Sequence, residues 1–341
     1  ADAEDDRDWY DARALPIEVR PWTDTEAFYE RLPARAEALV TPAVWRLSKN
    51  TAGMAVRFVT DADQISVRWT LTSASLAMPH MAATGVSGVD LYVRHEGKWR
   101  WIAVGRPTAQ SSELARAATR VPKGPHEYLL YLPLYNGVRS LSIGVPRGSL
   151  MQAPPPDTRR PICVYGTSIV QGGCATRPGM AHVAILGRRL DWPTINLGFS
   201  GSAKMEPAIA TLLAELDVAV YVLDSLPNMT AEMVDERFEP FVTALRKARP
   251  ETPIVLVENI TPQATVFLPA EERPTEAKNV AMRRALQRLQ AAGITGLYHV
   301  PGETLLGDDG EATVDGTHPT DVGFIRMADA LEPVLRKILG R

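Results

Sequence analysis

Cysteine is scarce in this chain. The only two cysteines among its 341 residues are Cys163 and Cys174. Two cysteines exclude a disulfide framework and a zinc site built on several thiolates. Because buried free cysteine is common in proteins, we expect two free thiols, and a single bond between them is the alternative.

Long apolar runs and clustered positive charge are also lacking. No apolar run approaches the ~18 residues that span a bilayer, so we expect no membrane insertion. The formal net charge is −3 and no basic stripe is visible, so nucleic acid is not an expected partner. The chain starts at Ala1 without a recognisable signal peptide. A secreted or periplasmic location is compatible with this start, and both the location and the oligomeric state stay open.

Several signatures of catalytic sites are missing. There is no His-x-x-x-His or Glu/His cluster for a catalytic metal and no complete glycine-rich phosphate loop. The GxSxG elbow of ordinary α/β-hydrolases is absent too. The sequence therefore predicts neither a cofactor nor a metal.

The first half of the chain has the pattern of an all-β domain. Short runs alternate apolar and polar residues and are separated by turn signals at Asp61–Asp63, Glu96–Lys98 and Asn136–Gly137, the last two typical of hairpins. This spacing predicts a two-sheet sandwich. The acidic segment Asp2–Asp11 is expected to be a solvated face or a loose tail. The predicted strands are Met54–Thr60, Ile65–Leu71, Val89–Val93, Trp99–Val104, Glu127–Leu134 and Ser140–Val145.

The second half alternates strands and helices. A proline-rich connection at Ala153–Asp157 marks the predicted boundary between domains 1–155 and 156–341. Alternation of this kind implies a parallel sheet covered by helices on both faces. The predicted buried strands are Ile162–Tyr165, Thr194–Leu197, Val218–Leu223, Ile254–Val257 and Gly296–Val300. The predicted helices are Ala181–Leu190, Glu232–Lys247, Thr275–Ala292 and one after Pro319.

Ser168 follows the first of these buried strands, in Gly166-Thr167-Ser168-Ile169. Reactive groups in parallel sheets collect at the carboxyl ends of the strands. A serine there is a candidate nucleophile, and its alternative role is to cap the helix that begins beside it.

Asp315 and His318 form the second candidate motif, Asp315-Gly316-Thr317-His318. A serine hydroxyl needs a base within hydrogen-bond reach, and that base needs an acceptor on its other ring nitrogen. An aspartate three residues before a histidine can supply that acceptor, although Asp-Gly turns are common without any catalytic role. The other five histidines lie in less suitable positions; only His299 is expected near the sheet rim, and no acid stands beside it.

Acyl transfer also requires donors to the oxyanion. The second strand continues into Asn196–Gly201, where a glycine lets a backbone N–H approach a ligand. The third strand continues into Asp224–Asn228, where the amide of Asn228 can donate. The alternative for Asn228 is a simple turn residue after Pro227.

Four segments, taken in order, resemble the blocks of the SGNH (GDSL-like) hydrolases. They are GTSI at Gly166–Ile169, NLGFSG at Asn196–Gly201, LPN at Leu226–Asn228 and DGTH at Asp315–His318. Gly88-Val89-Asp90-Leu91-Tyr92 resembles the GxDLY signature of a β-sandwich domain that precedes the SGNH domain in one bacterial subgroup. The resemblance implies a flavodoxin-like three-layer α/β/α domain with five parallel strands, preceded by an all-β, jelly-roll-like sandwich.

The resemblance also implies site residues. Ser168 would be the nucleophile, with His318 and Asp315 completing the triad. The N–H groups of Ser168 and Gly201 and the amide of Asn228 would form the oxyanion hole. Thr167 stands where many relatives have Asp, Leu226 replaces the block III glycine, and Met229 follows Asn228 where Asp is common.

We therefore expect a serine esterase that hydrolyses short acyl or acetyl esters, including esters on carbohydrate. An acyltransferase with the same triad and a non-catalytic sugar-binding protein are the alternatives. The first domain resembles a carbohydrate-binding module, with Trp69, Trp99 and Trp101 as candidate stacking residues. Packing of Leu132–Gly137 against the active site is the alternative role for that domain.

Overall fold

The fold is described from a computed structural model, which covers residues 6–265 and 267–341. The chain divides into two compact units. The first comprises the described residues up to Pro33, together with Lys49–Thr158 and Thr176–Gly179. The second comprises Ala34–Ser48, Arg159–Ala175 and Met180–Arg341.

The described part of the first unit contains two antiparallel sheets. One has the strand order β1-β9-β4-β7 and the other has the order β2-β3-β8-β5-β6. Their inward-facing side chains, among them Phe58, Trp69 and Leu130, form one buried core, as the predicted sandwich requires. The strands are β1 Arg7–Asp11, β2 Ile17–Glu18, β3 Ala55–Thr60, β4 Gln64–Leu71, β5 Val89–His95, β6 Lys98–Gly105, β7 Ser111–Thr119, β8 His126–Tyr131 and β9 Val138–Pro146.

The two predicted hairpins have different outcomes. Strands β5 and β6 pair antiparallel around Glu96-Gly97, and both turn residues have positive φ, as a type I′ turn requires. The hairpin at Asn136-Gly137 is wrong, because β8 pairs with β3 and β5 whereas β9 pairs with β1 and β4 in the other sheet. The Asn136 side chain instead bonds to Ser73, accepting from its backbone N–H and donating to its carbonyl.

The acidic segment near the N-terminus is only partly as expected. Residues 1–5 lie outside the described residues, but Arg7–Asp11 is a strand paired with β9 rather than a loose tail. Trp9 lies opposite Gly144 in this pairing, and the Arg68 guanidinium carbon lies 3.8 Å from the centre of the Trp9 ring. Ring stacking and main-chain pairing thus hold a segment whose charges alone favour solvation.

Asp90 of the GxDLY signature is completely buried and paired. Its Oδ2 accepts from Arg177 at 2.8 Å and from the backbone N–H of Gly179 at 2.8 Å. Its Oδ1 accepts from the Trp101 indole at 2.9 Å. A buried carboxylate needs such a full set of donors. The signature acid therefore anchors Thr176–Gly179, which belongs to this first unit.

The three tryptophans considered for sugar stacking differ in exposure. Trp69 is only 1% exposed and its indole donates to the Ser87 carbonyl, so the prediction that it stacks on sugar is wrong. Trp101 is 49% exposed, but the Arg177 guanidinium already lies 5.1 Å from its ring centre. Trp99 is half-buried beneath Arg94.

Helices lie in both units. Helix α2 belongs to the first unit, and the other helices belong to the second. They are α1 Pro42–Ser48, α2 Ala83–Val86, α3 Ser168–Gln171, α4 His182–Leu190, α5 Pro207–Glu215, α6 Ala231–Ala248, α7 Glu272–Ala291 and α8 Asp321–Leu339. None of the helices in the described part of the chain combines the length and apolar character needed to cross a bilayer.

The second unit is built on a five-stranded parallel sheet with the order β11-β10-β12-β13-β14. This is the flavodoxin-like order, and it confirms the predicted α/β fold. The carboxyl ends of β10, β11 and β12 lie in register at Gly166, Gly198 and Asp224, so the loops that follow them share one edge. The strands are β10 Ile162–Gly166, β11 Thr194–Gly198, β12 Val220–Asp224, β13 Ile254–Val257 and β14 Leu297–Val300. Cys163 and Cys174 are free and buried.

Candidate active site

Ser168 is the first residue of α3, directly beyond strand β10. The cap of this helix is Thr167, whose hydroxyl accepts from the Ile169 N–H at 3.2 Å. The Ser168 hydroxyl is therefore not the helix cap. Thr167, which replaces the more usual aspartate, supplies the capping oxygen.

The Asp315–His318 segment is a tight turn organised by the aspartate. Asp315 Oδ1 accepts from the backbone N–H of Thr317 at 3.1 Å and from that of His318 at 2.8 Å. An aspartate that bonds to the backbone two residues ahead forms an Asx turn. The turn is closed by the Val314 N–H, which donates to the His318 carbonyl at 2.8 Å. The other carboxylate oxygen of Asp315 remains available for the His318 ring.

A chain of two hydrogen bonds joins Ser168, His318 and Asp315. Ser168 Oγ lies 2.9 Å from His318 Nε2, and His318 Nδ1 lies 2.7 Å from Asp315 Oδ2. Burial opposes ionisation of Asp315, but the hydrogen bonds from His318 and Thr317 outweigh it and lower the pKa of this carboxyl. Asp315 is therefore ionised at neutral pH, which fixes the proton of His318 on Nδ1 and leaves Nε2 to accept from Ser168.

Gly201 and Asn228 belong to adjoining loops. Asn228 Oδ1 accepts from the backbone N–H of Ala203 at 3.3 Å, two residues beyond Gly201. This bond orients the amide, and among the described residues its Nδ2 has no acceptor. The Gly201 backbone N–H likewise donates to no described group, and its φ of 67° suits glycine. Both donors are available to a ligand.

Two polar residues connect strand β11 and the loop after it to α3. Gln171 is completely buried, and its Oε1 accepts from the Ser200 N–H at 3.0 Å. Asn196 donates to the Val170 carbonyl at 2.7 Å. Sequence reasoning could have found Gln171 from its place three residues after Ser168, on the same short helix.

Gln263 supports the Asp315–His318 turn from the loop after β13. Its Oε1 accepts from the Ala312 N–H at 2.8 Å, and its Nε2 donates to the Gly307 carbonyl at 3.2 Å. The side chain therefore bridges two points of the segment that leads into Asp315. Sequence reasoning missed it because an isolated glutamine in a loop carries no pattern.

Asp224 lies at the end of β12 and is almost fully buried. Burial raises its pKa to about 7, and its Oδ2 has no hydrogen-bond partner in the described residues. Protonation of this carboxyl, which burial favours, would remove a negative charge from the end of β12.

His299 is closer to an acid than the sequence suggested. Its Nε2 lies 2.8 Å from Oε1 of Glu258, which follows the neighbouring strand β13. Glu258 is 97% buried and also accepts from Arg283 and from the Gly302 N–H. No described hydroxyl bonds to His299, so this pair lacks the third member that His318 has.

His182 is completely buried in α4, stacked on Phe324 with ring centres 5.8 Å apart. Neither ring nitrogen has a hydrogen-bond partner in the described part of the chain. Desolvation lowers its pKa from 6.5 to about 4, so the ring is neutral in the folded protein.

We expect His182→Phe to stabilise the protein increasingly as the pH falls. An unfolded chain protonates this histidine below about pH 6.5, whereas the folded protein does so only near pH 4. The free energy of unfolding of wild type therefore decreases as the pH falls from about 6.5 to about 4. This residue accounts for up to roughly 3 kcal/mol of that decrease. Urea unfolding at pH 7.5 and 4.5 measures the difference. The exposed His95→Phe is the control, and an equal gain from His182→Phe at both pH values would contradict the expectation.

Similarity to known proteins identifies the family of this chain. The model of the GDSL-like lipase/acylhydrolase family matches residues 159–336, which is more than half of the chain. The chain belongs to this family. The model of the GxDLY N-terminus of SGNH-type esterases matches residues 7–151. The resemblance inferred from the motifs is therefore confirmed for both halves of this GDSL-like protein. No curated protein matches it significantly.

Solved structures agree with this assignment. A protein from Bacteroides ovatus described as a GDSL-like lipase is 33% identical, with a TM-score of 0.93 and 98% of each chain covered. The salicylyl-acyltransferase SsfX3 from a tetracycline biosynthetic pathway is 18% identical, with a TM-score of 0.79 and 99% of each chain covered. A family two carbohydrate esterase from Clostridium thermocellum shares the fold at 14% identity, with a TM-score of 0.59 over 85% of this chain and 93% of the other.

Proposed function

We propose that this GDSL-like protein is a serine esterase with Ser168 as nucleophile. The observation that carries the proposal is the hydrogen-bonded series Ser168 Oγ, His318 Nε2, His318 Nδ1 and Asp315 Oδ2, with distances of 2.9 and 2.7 Å. This is the arrangement that serine hydrolysis requires.

In the first half of the reaction, His318 Nε2 takes the proton from Ser168 as Oγ attacks the ester carbonyl carbon. The carbonyl oxygen becomes an oxyanion, and Asp315 stabilises the imidazolium that forms. His318 then gives the proton to the alcohol oxygen as the carbon–oxygen bond breaks. The products of this half are the free alcohol and an acyl group on Ser168.

In the second half, water replaces the alcohol. His318 removes a proton from the water, which attacks the acyl carbon, and then returns it to Ser168 Oγ as the acid leaves. No other group is needed for the balance of atoms and protons.

The proposed oxyanion donors are the backbone N–H groups of Ser168 and Gly201 and the Nδ2 amide of Asn228. Asn228→Ala removes one of them, and we expect kcat to fall by about 10²–10³-fold with KM little changed. Steady-state kinetics on a p-nitrophenyl ester measures both constants. Asn228→Asp is the informative partner, because it keeps the acceptor for Ala203 but replaces the donor with a carboxylate. Full activity in either variant would remove Asn228 from the oxyanion hole.

The proposed substrates are short acyl esters, acetyl esters in particular, including those on carbohydrate. Support for carbohydrate comes from the shared fold with family two carbohydrate esterases, and it is an argument by analogy of fold. A panel of acyl lengths on p-nitrophenol, together with acetylated mono- and oligosaccharides, tests acyl and alcohol preference separately.

The direct test of the function is labelling by a fluorophosphonate, which reacts with activated serines. We expect the label on the peptide that contains Ser168 and a burst of p-nitrophenol as the acyl-enzyme accumulates. Absence of both label and turnover would reject the proposal and would favour a non-catalytic binding protein on this scaffold.

Acyl transfer to an alcohol is the second candidate function. It is favoured by the likeness over 99% of both chains to the salicylyl-acyltransferase. Excess acceptor alcohol in the esterase assay separates the two activities, because a transferase forms a new ester in place of the free acid.

A further inference from the structure

We propose that Lys278 forms an anion-binding subsite beside Asn228, so that the preferred ester carries a carboxylate near its reacting carbonyl. This inference rests on the proposed esterase function and names the class of its substrate. Lys278 lies in the second turn of α7, and its Nζ lies 3.5 Å from the carbonyl oxygen of Pro227, the residue before Asn228.

The position of Lys278 is fixed by its neighbours on α7. Asn279 Oδ1 accepts from the backbone N–H of Asn259 at 2.8 Å, and its amide donates back to the Asn259 carbonyl at 3.2 Å. Thr275 Oγ1 accepts from the Asn259 side chain at 3.1 Å. These buried bonds attach the first two turns of α7 to the chain just beyond β13. The helix therefore presents Lys278 to the Leu226–Asn228 turn from a rigid base.

The ammonium of Lys278 lacks a counter-charge. It is half-buried, and among the described residues no carboxylate forms an ion pair with it. Three arginines further along α7, by contrast, each pair with a carboxylate. These are Arg283 with Glu258 and Glu276, Arg284 with Asp235, and Arg288 with Glu239.

A half-buried ammonium group without a paired carboxylate favours the binding of an anion. Burial lowers the pKa of Lys278, because desolvation penalises the charged form. The single carbonyl contact, at 3.5 Å, leaves the remaining N–H donors of the ammonium without a described acceptor. A carboxylate from the substrate would restore the solvation that the ammonium has lost, and it would do so next to the proposed oxyanion donor Asn228.

The test uses two pairs of esters that differ only in a carboxylate. Mono-p-nitrophenyl glutarate and its methyl ester place the charge on the acyl side, and 3-acetoxybenzoate and its methyl ester place it on the alcohol side. We expect wild type to favour the carboxylate in one pair by about tenfold or more in kcat/KM, as a partly buried charged hydrogen bond provides. The favoured pair identifies the side of the ester that Lys278 contacts.

Lys278→Met should remove this preference by lowering kcat/KM for the carboxylate ester while leaving its methyl ester within about threefold. Lys278→Arg should retain most of it. The exposed Lys247→Met, which removes the same net charge, should change nothing. An equal loss on both members of a pair would show that Lys278 only supports the Pro227–Asn228 turn. Such a loss, or no preference in wild type, would overturn the subsite.

A binding measurement separates the subsite from the chemistry. Calorimetry with mono-p-nitrophenyl glutarate and 3-acetoxybenzoate on Ser168→Ala and on Ser168→Ala/Lys278→Met needs no turnover. At least tenfold weaker binding of one of them in the double variant supports the subsite even if Ser168 is not a nucleophile. Equal binding rejects the subsite even if the esterase function is correct.

Discussion

Replacing Ser168 with alanine is expected to lower kcat for a p-nitrophenyl ester by about 10⁴-fold or more, with little change in KM. The reason is that this hydroxyl lies 2.9 Å from His318 Nε2, where it can lose its proton and form the acyl-enzyme. The donors to the oxyanion remain in the variant, so a small residual rate over the uncatalysed reaction is expected. Steady-state kinetics and the loss of fluorophosphonate labelling measure the effect.

Ser202→Ala is the matched control for this experiment. Ser202 is half-buried on the loop beyond β11, and its hydroxyl has no hydrogen bond in the described residues. We expect the control to retain activity within about twofold, and both variants to keep the circular dichroism and melting temperature of wild type. A Ser168→Ala protein as active as the control would reject the nucleophile.

Asp315→Asn is expected to lower kcat by about 10³–10⁴-fold. The asparagine oxygen can still accept from Thr317 and His318, so the turn should persist. Its amide, however, would replace the oxygen that lies 2.7 Å from His318 Nδ1. An amide donates to Nδ1, so the ring proton of His318 moves to Nε2. A protonated Nε2 cannot accept the proton of Ser168.

Asp308→Asn makes the same chemical change earlier in the same loop, at an exposed residue. It should leave kcat unchanged. Asp315→Ala should also be less active than wild type but should, in addition, lose the backbone bonds of the turn and melt earlier. If Asp315→Asn kept full activity, another acceptor would have to orient His318.

Local turn chemistry explains which parts of the first unit were predictable. Glu96-Gly97 produces a tight hairpin because both residues adopt positive φ and the flanking strands pair with each other. Asn136-Gly137 has the same signature, yet the strands around it belong to different sheets. The residues of a turn do not reveal whether it joins two paired strands of one sheet or connects strands of the two different sheets.

Strands β1 and β7 were missed because their residues do not alternate in the expected way. Strand β1 contains two acidic residues, and its attachment depends on Trp9 meeting Gly144 across the sheet. Strand β7 includes Arg116, whose positive φ marks an irregularity in its pairing with β4. Both strands lie at an edge of their sheet, where burial imposes the weakest pattern.

The strands of the second unit, by contrast, were predictable because a parallel sheet buries both faces and produces short continuous apolar runs. That sheet also explains how motifs far apart in sequence come to one edge. Gln263, Glu258 and Lys278 escaped prediction because each acts through a partner on another loop or strand. Only the three-dimensional structure shows that Gln263 meets Ala312 and that Lys278 meets Pro227.

The order of the proposed triad along the chain has a consequence for how the protein is made. The proposed nucleophile precedes its proposed base by 150 residues, whereas the proposed acid lies only three residues before that base. A nascent chain that already contains Ser168 therefore has no means of activating it until synthesis has passed His318 and the turn has docked. On this proposal, hydrolytic activity is withheld until His318 has been synthesised, and chains released before that point would be inert.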